Sequence, residues 1–321
     1  PERSKVPRRR AISLLVVMGL LLSCVAWANI EPQETVEPTT SAAVDPIGTE
    51  GKTGQDTPAA DEGASQLKES ERSAAPDPVE FFQRHFFPFE PFYFIAGTET
   101  PNAKFQISLK YQLFTDEAWL ATQWSGVTNL FIAYTQTSLW DWNEPSAPFY
   151  DTSYKPELNY TWQRVDGAHW GDAIRLDLQG GLQHESNGQD DADSRSLNLA
   201  YLRPTVTFGR IGKFQLTVSP KLFVYVGDLS DNSDIADYRG YVELRAALGW
   251  SDNVQLAATT RVGKDFDRAS LQLDLTYPMW KLPVLRSSVF LQAQYFTGYG
   301  ESLLRYDERS DSFRAGFALF R

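Results

Sequence analysis

Apolar and polar residues alternate with a period of two along most of the chain after Pro78. Successive side chains of a β-strand point to opposite faces, so this period predicts strands with one apolar and one polar face. The segments are about 9–11 residues long, the length of a tilted strand that crosses a membrane. Charged residues occupy the polar face of almost every segment. The clearest apolar rows are Phe105, Ile107, Leu109, Tyr111 and Leu113; Phe214, Leu216 and Val218; Val242, Leu244, Ala246 and Leu248; Leu271, Leu273, Leu275 and Tyr277; and Val289, Leu291, Ala293 and Tyr295.

The connections between these segments alternate in length, which favours a membrane barrel. Outer-membrane barrels have short turns at one end and longer loops at the other. We count about twelve strands, an even number as such barrels require, so the predicted fold is all-β, a 12-stranded antiparallel transmembrane β-barrel. A soluble β-sandwich also alternates and stays open as the other architecture. The short turns are Gly209–Lys213, Ser251–Asn253 and Lys281–Pro283, and the longer loops are Gly227–Arg239, Gly263–Arg268 and Gly300–Arg309.

The N-terminal part of the chain has a different composition and does not show this alternation. A cationic stretch up to Arg10 precedes an apolar run and the triplet Ala26-Trp27-Ala28, so residues 1–28 are predicted to be a signal peptide. Residues 29–77 are acidic, rich in Pro, Thr and Ala, and contain no aromatic residue. Such a segment cannot bury enough apolar surface to offset its ordering entropy, so we predict a disordered linker, with a partner-binding tail as the alternative. The sequence before Cys24 resembles a lipoprotein box only loosely, which leaves lipidation as an alternative for the leader. The barrel domain is predicted over residues 78–321.

Composition argues against some partners and sites, although it leaves local basic patches open. The formal net charge is −11, which gives no support to nucleic-acid binding by the whole chain. The single cysteine cannot form an intramolecular disulfide. Three histidines, without any Cys/His metal spacing, are too few for a histidine-rich metal site.

One predicted strand, Ile174–Ser186, carries polar groups on its apolar face, because its even positions continue as His184 and Ser186. Side chains two residues apart on a strand point the same way with Cβ atoms about 6–7 Å apart, so the imidazole can reach the hydroxyl. Such a pair is an activated nucleophile if a third group orients the ring. Asn198 has the parity of the apolar row in the next strand, and a hairpin loop at 187–193 would bring its side-chain oxygen near the imidazole. By itself the H-x-S pattern is weak, and solvated rim residues are the alternative.

The segment around these residues resembles the outer-membrane phospholipase A family. The family shows H-x-S-N-G, then S-R-S, then Asn, and His184–Asn198 has these residues at the same spacing. The resemblance runs from Tyr93 to the C-terminus and leaves out the linker. It implies a catalytic triad of Ser186, His184 and Asn198 on the outer surface of the barrel. Further matches are Tyr134–Trp140, Pro145–Phe149, Tyr154–Glu157 and Gly298–Leu303.

The resemblance also implies calcium dependence and activation by dimerisation. The matched ligands are the Ser194 hydroxyl, the Gln189 carbonyl and the carbonyl of Ser146 from the second subunit, and oxygen ligands suit calcium, a hard cation. Gln189 stands where the family usually has arginine, which a backbone ligand tolerates. Asp191 and Asp231 match acidic positions of a second, weaker calcium site, for which solvated loop charge is the alternative.

The function implied by the resemblance is calcium-dependent hydrolysis of acyl esters in the bacterial outer membrane. Phospholipids and lysophospholipids are the implied substrates, and a homodimer is the implied active form. The Ser186 backbone N–H and a calcium-bound water are the implied donors to the oxyanion. Two rival functions stay open: a non-catalytic porin or channel in which the triad is a remnant, and a soluble secreted binding protein.

Overall fold

A computed structural model of the chain describes residues 77–165, 171–282 and 288–321. The predicted signal peptide and, apart from Asp77, the predicted linker lie outside the described residues. The chain divides into two compact units, residues 1–82 and 83–321. The described residues of the first unit form most of helix α1 (Pro78–His85). Within the described ranges, no helix is long and apolar enough to cross a membrane.

The second unit is a closed antiparallel sheet. Each strand from β3 to β13 pairs with the strand that precedes it in the chain, and β2 also pairs with β13. The strands are β1 (Phe86–Pro88), β2 (Phe92–Gly97), β3 (Ala103–Gln112), β4 (Leu130–Trp140), β5 (Phe149–Trp162), β6 (Ile174–Ser186), β7 (Ser196–Phe208), β8 (Phe214–Tyr225), β9 (Val242–Trp250), β10 (Gln255–Val262), β11 (Ala269–Pro278), β12 (Phe290–Tyr299) and β13 (Arg309–Phe320).

The first barrel strand is interrupted. Both β1 and β2 pair with β3, since Phe86 lies opposite Tyr111 and Tyr93 lies opposite Gln106. They are two parts of one strand, so the thirteen strands make a ring of twelve. The interruption falls in a segment that ends at Pro91, and proline cannot donate a hydrogen bond to a ladder. The closed ring confirms the predicted 12-stranded barrel and rules out the sandwich.

The exposure of the side chains differs between the two faces of the barrel wall, as the alternation predicts. On β6, the Leu182 side chain is 60% exposed on the outside, whereas the next residue, Gln183, is 8% exposed and faces the lumen. Apolar residues form the outer face, and the lumen is lined by charged and amide side chains. These lumen groups pair across the barrel: Lys104 Nζ donates to Gln294 Oε1 at 2.9 Å, and Arg203 donates to Glu90 at 2.6 Å. These polar side chains therefore find hydrogen-bond partners inside the barrel.

The connections between strands differ in length at the two ends of the barrel. The end that carries the β6–β7 connection also carries the long segments 226–241 and 300–308. The other end has the short connections 209–213 and 251–254. The predicted alternation holds only from β7 to β11, because the connections 163–173 and 279–289 at this second end are also long, and the short turn predicted at Lys281–Pro283 is part of the latter. The connection from β3 to β4 at the same end is long as well. It contains helix α2 (Trp119–Gln123) and a 3₁₀ turn (Ser125–Asn129).

Two of the long loops fold into the mouth of the barrel, and we call segments 226–241 and 300–308 the plug. The plug contains helix α3 (Ile235–Arg239). Asp151 at the start of β5 accepts hydrogen bonds from the Leu303 N–H at 2.7 Å and from the Ser302 hydroxyl at 2.7 Å. Plug side chains also pack against inward residues of β7 and β8. The apolar cluster comprises Leu197, Leu199, Tyr201, Phe223, Ile235, Leu303 and Tyr306.

Candidate active site

The hairpin between β6 and β7 is organised by one buried asparagine. Asn187 is 2% exposed, and its Oδ1 accepts the backbone N–H of Arg195 at 3.0 Å and that of Gln189 at 3.3 Å. Its Nδ2 donates to the Asp193 carbonyl at 2.7 Å. These bonds take the place of ladder bonds in the loop, so the ends of β6 and β7 stay in register.

His184 and Asn198 are directly opposed in this register, and Ser186 faces Ser196. His184 Nδ1 lies 2.9 Å from Asn198 Oδ1. An amide oxygen only accepts, so the imidazole donates from Nδ1 and keeps Nε2 as an acceptor. Ser186 lies two residues further along the same face, about 6–7 Å away by strand geometry. The structure thus brings the three residues predicted from parity onto one outward patch.

This patch is set in an apolar wall. Asn198 is exposed, and His184 and Ser186 are half-buried on the outside of the barrel. Their surroundings are outward apolar side chains, such as Leu182 at 60% exposure and Val224 at 58%. Polar side chains are uncommon on the lipid-facing side of a barrel strand, which favours a functional role for this patch. The arrangement can activate a hydroxyl for attack on an ester at the membrane surface.

The residue between the two candidates faces the opposite way. Glu185 is 4% exposed in the lumen, where it accepts a hydrogen bond from the Ser153 hydroxyl at 2.7 Å. Arg239 of the plug donates to both of its oxygens, at 3.2 and 3.3 Å, and Lys155 lies 3.8 Å away. Sequence analysis missed this contact, because Arg239 is separated from Glu185 by 54 residues.

The predicted calcium ligands lie at the same end of the barrel. The Ser194 hydroxyl donates to Asp231 Oδ2 at 2.9 Å, which joins the first predicted ligand set to the second. Gln189 and Asp191 lie in the same loop as Ser194, and the Asp191 carbonyl accepts the Ser194 N–H at 3.2 Å. Ser146, with φ of 71°, lies in the β4–β5 connection at this end. Hydroxyl, carbonyl and carboxylate oxygens are the donors that calcium takes, so the residues fit the ion.

These ligands do not form an acidic cage. In the parts of the chain that the structure describes, no group of three or more His, Cys, Asp or Glu could hold a metal ion. Near Asp231, the hydroxyl and the backbone N–H of Ser230 both donate to Asp228, and these hydrogen bonds lower the pKa of that carboxyl. One chain therefore offers few strong ligands, and full coordination by six to eight oxygens needs others.

A closed barrel with an apolar outer wall is the architecture of a bacterial outer-membrane protein. Here that wall carries a serine beside a histidine that is oriented by an asparagine. The chain belongs to the phospholipase A1 family, since the family model described as Phospholipase A1 matches residues 93–319. It is accordingly a multi-pass barrel of the outer membrane, as the sequence predicted.

Relatives and solved structures agree with this membership. The chain is 33% identical over 212 residues to Phospholipase A1 of Escherichia coli K12, covering 64% of this chain and 65% of that protein. It is 30% identical over 222 residues to a putative phospholipase A1 of Neisseria meningitidis serogroup B, covering 67% of this chain and 53% of that protein. The chain thus spans about half to two thirds of the length of the curated relatives it matches.

Two solved barrels have the same fold. One is an active-site mutant of outer membrane phospholipase A from Escherichia coli in which an asparagine is replaced by alanine. It is 26% identical, with a TM-score of 0.60, and 77% of this chain and 94% of that chain are covered. The other is the outer membrane phospholipase dimer of Salmonella typhi with bound calcium. It is 25% identical, with a TM-score of 0.59, and 73% of this chain and 92% of that chain are covered.

Proposed function

We propose that this protein is a calcium-dependent phospholipase A that hydrolyses acyl esters of phospholipids and lysophospholipids with a triad of Ser186, His184 and Asn198. The observation that carries the proposal is the hydrogen bond between His184 and Asn198, on the face that also presents Ser186. The relatives named as phospholipases support the substrate class. The solved active-site mutant supports an asparagine in the machinery, because its altered residue is an asparagine.

Each residue has a distinct task in the reaction. His184 Nε2 takes the proton from Ser186 Oγ as this oxygen attacks the acyl carbonyl. The C–O bond to the glycerol oxygen then breaks, and the imidazolium returns its proton to that leaving oxygen. Water attacks the acyl-serine by the same proton route and releases the fatty acid. Asn198 holds the ring in the Nδ1–H tautomer throughout and adds no charge.

The position of the site explains how substrate reaches it. The three side chains face the surface that lipid acyl chains contact, so a phospholipid can approach along the wall. No deep cleft is needed, because the bilayer already concentrates and orients the substrate beside Ser186. Such a site needs a restraint, since the membrane around it consists of its own substrate.

Calcium at the β6–β7 loop would supply that restraint. The Ser194 hydroxyl and the Gln189 carbonyl would hold the ion, together with the carbonyl of Ser146 from a second subunit. The bound ion would supply positive potential near the developing oxyanion. Asp231, which accepts the Ser194 hydroxyl, and Asp191 are the residues for the second site. The calcium-bound dimer of the Salmonella typhi protein supports both the ion and the assembly.

A channel fits the interior less well. Side chains pair inside the lumen: Arg203 on β7 reaches Glu90, between β1 and β2, at 2.6 Å, and Tyr201 on β7 donates to Glu157 on β5, two strands away, at 2.7 Å. The apolar part of the plug also occupies the mouth of the barrel. A permeation path through these groups would have to break buried ion pairs, which is costly.

The direct test is fatty-acid release from phospholipid in detergent micelles, with and without calcium. We expect release that requires calcium and that falls by several orders of magnitude in Ser186→Ala, because the nucleophile is gone. Ser196→Ala is the matched control, since Ser196 lies directly opposite Ser186 and should leave release unchanged. Equal rates in the two refolded variants would contradict the proposal.

A further inference from the structure

A charged contact inside the barrel lies directly behind the proposed catalytic pair. His184 and Ser186 face outward, and the residue between them, Glu185, faces inward with 4% exposure. Glu185 has contacts with Ser153 on β5 at 2.7 Å, with Lys155 on β5 at 3.8 Å and with Arg239. A buried carboxylate with three partners from other elements cannot shift without leaving charges unpaired.

Arg239 reaches this position from the plug. It ends helix α3, is 7% exposed, and places both terminal nitrogens on the two Glu185 oxygens, at 3.2 and 3.3 Å. This two-pronged geometry fixes orientation as well as distance. The arginine stem runs beneath Gly300, where a β-carbon would lie 3.2 Å from Arg239 Cγ. The plug backbone thus leaves room for this side chain.

The same plug segment also touches the partner strand. The Val226 N–H donates to the Asn198 carbonyl at 2.9 Å, and Asn232 Oδ1 accepts the Ser196 N–H at 3.0 Å. Segment 226–241 therefore contacts β7 along its edge and β6 from the lumen side. Its contacts with Ser196, Asn198 and Glu185 are therefore made at or next to the two residues of the His184–Asn198 hydrogen bond.

We propose that Arg239 and Glu185 are positioning residues that hold the end of β6 so that His184 and Ser186 keep their mutual geometry. This inference rests on the proposed function and adds to it a contact that supports the catalytic geometry. The end of β6 leads directly into the 187–195 loop, where a strand would otherwise fray. A displacement of about 1 Å between reacting groups can lower a rate by about 10²-fold. The ion pair opposes such displacement from the lumen side of the wall, whereas substrate approaches from the outside.

A second ion pair in the lumen provides a matched control. Arg314 on β13 pairs with Glu301 at 2.6 Å, and their side chains are 2% and 4% exposed, against 8% and 5% for Arg239 and Glu185. Each pair joins the plug to the barrel wall, the first through Arg239 and the second through Glu301, and their burial is similar. They differ in place, because Arg314 lies on a strand that is not adjacent to β6. A general loss of barrel stability should follow from breaking either pair, whereas loss of positioning should follow only from breaking the first.

The test compares the full chain with Arg239→Met, Arg239→Lys, Arg314→Met and the double variant Glu185→Gln/Arg239→Met, all refolded in detergent. Amide hydrogen exchange over residues 184–198 and steady-state kcat and KM on micellar phospholipid are measured. We expect Arg239→Met to speed exchange in this segment and to lower kcat by about 10- to 100-fold with KM nearly unchanged. Arg239→Lys should fall between it and the unchanged chain, and Arg314→Met should change neither local exchange nor kcat.

The double variant separates positioning from stability. It removes the carboxylate that Arg239→Met leaves with Lys155 as its one cation within 4 Å among the described residues, so its thermal stability should recover in part relative to Arg239→Met while kcat stays low. Recovery of kcat together with stability would overturn the inference, as would equal local exchange in Arg239→Met and Arg314→Met. Local exchange tests the inference without any turnover. An unchanged chain that releases no fatty acid while the exchange difference persists would count against the proposed function alone.

Discussion

His184 and Asn198 occupy directly opposed positions of β6 and β7, and the imidazole Nδ1 lies 2.9 Å from the amide Oδ1. The sheet register alone sets this contact, because both side chains point outward from paired residues. Because an amide oxygen only accepts, the contact assigns the ring proton to Nδ1. Nε2 is then the unprotonated nitrogen, which is the atom that a general base uses to accept a proton.

Asn198 is expected to matter through its acceptor oxygen. Asn198→Ala should lower kcat, but by less than His184→Ala, since the asparagine orients the ring and transfers no proton. Asn198→Asp should retain more activity than Asn198→Ala, because a carboxylate also accepts from Nδ1. The measurement is kcat on micellar phospholipid for the three variants. If Asn198→Ala lost more activity than His184→Ala, the assignment of roles would be wrong.

Ser194 is expected to control the calcium requirement. Ser194→Ala removes the proposed hydroxyl ligand and the hydrogen bond to Asp231, so the calcium concentration for half-maximal activity should rise. Ser230→Ala is the control, because that serine bonds to Asp228 instead. A calcium titration of fatty-acid release compares them, and identical half-points would argue against a ligand role for Ser194.

Calcium is also expected to control assembly. If each ion needs ligands from two subunits, calcium must favour the dimer by mass action. Chelator should then abolish activity and shift the protein toward monomer, as measured by sedimentation in detergent beside the activity assay. A monomer that stays fully active in excess chelator would be incompatible with this scheme.

The acidic N-terminal segment is expected to be dispensable for the barrel. Deletion of residues 31–75 removes a stretch that has no core-forming pattern, so refolding and fatty-acid release in detergent should persist. Heat-modifiable gel mobility and the release assay check this. Failure of the shortened chain to refold would assign a structural role to the segment.

Much of the outer wall could be predicted from the sequence, because a two-residue period decides which side chains face lipid. Parity alone placed His184, Ser186 and Asn198 on one face, and a short hairpin made them neighbours. The interrupted first strand was harder, since two short pieces broken before Pro91 do not alternate over a full crossing. The long β3–β4 connection was not foreseen either, because nothing in an alternating pattern specifies how a turn is built.

The contacts between the site and the plug could not be predicted. Glu185 and Arg239 are 54 residues apart, and Ser194 and Asp231 are 37 apart. Both contacts depend on the plug folding into the barrel mouth. Charged residues on the polar face of a strand indicate a polar lumen, but they do not tell which side chains pair inside it. Such pairs follow from loop packing, which local periodicity does not encode.

The most direct test of the central claim is covalent trapping of the nucleophile. The refolded chain would be treated with a long-chain alkyl sulfonyl fluoride in the presence of calcium, and peptide masses and fatty-acid release would be followed together. The account predicts a single adduct on Ser186, loss of release in proportion to labelling, and slower labelling in His184→Ala. An adduct on any other residue with parallel loss of release, or full release from a chain whose Ser186 is blocked, would contradict it.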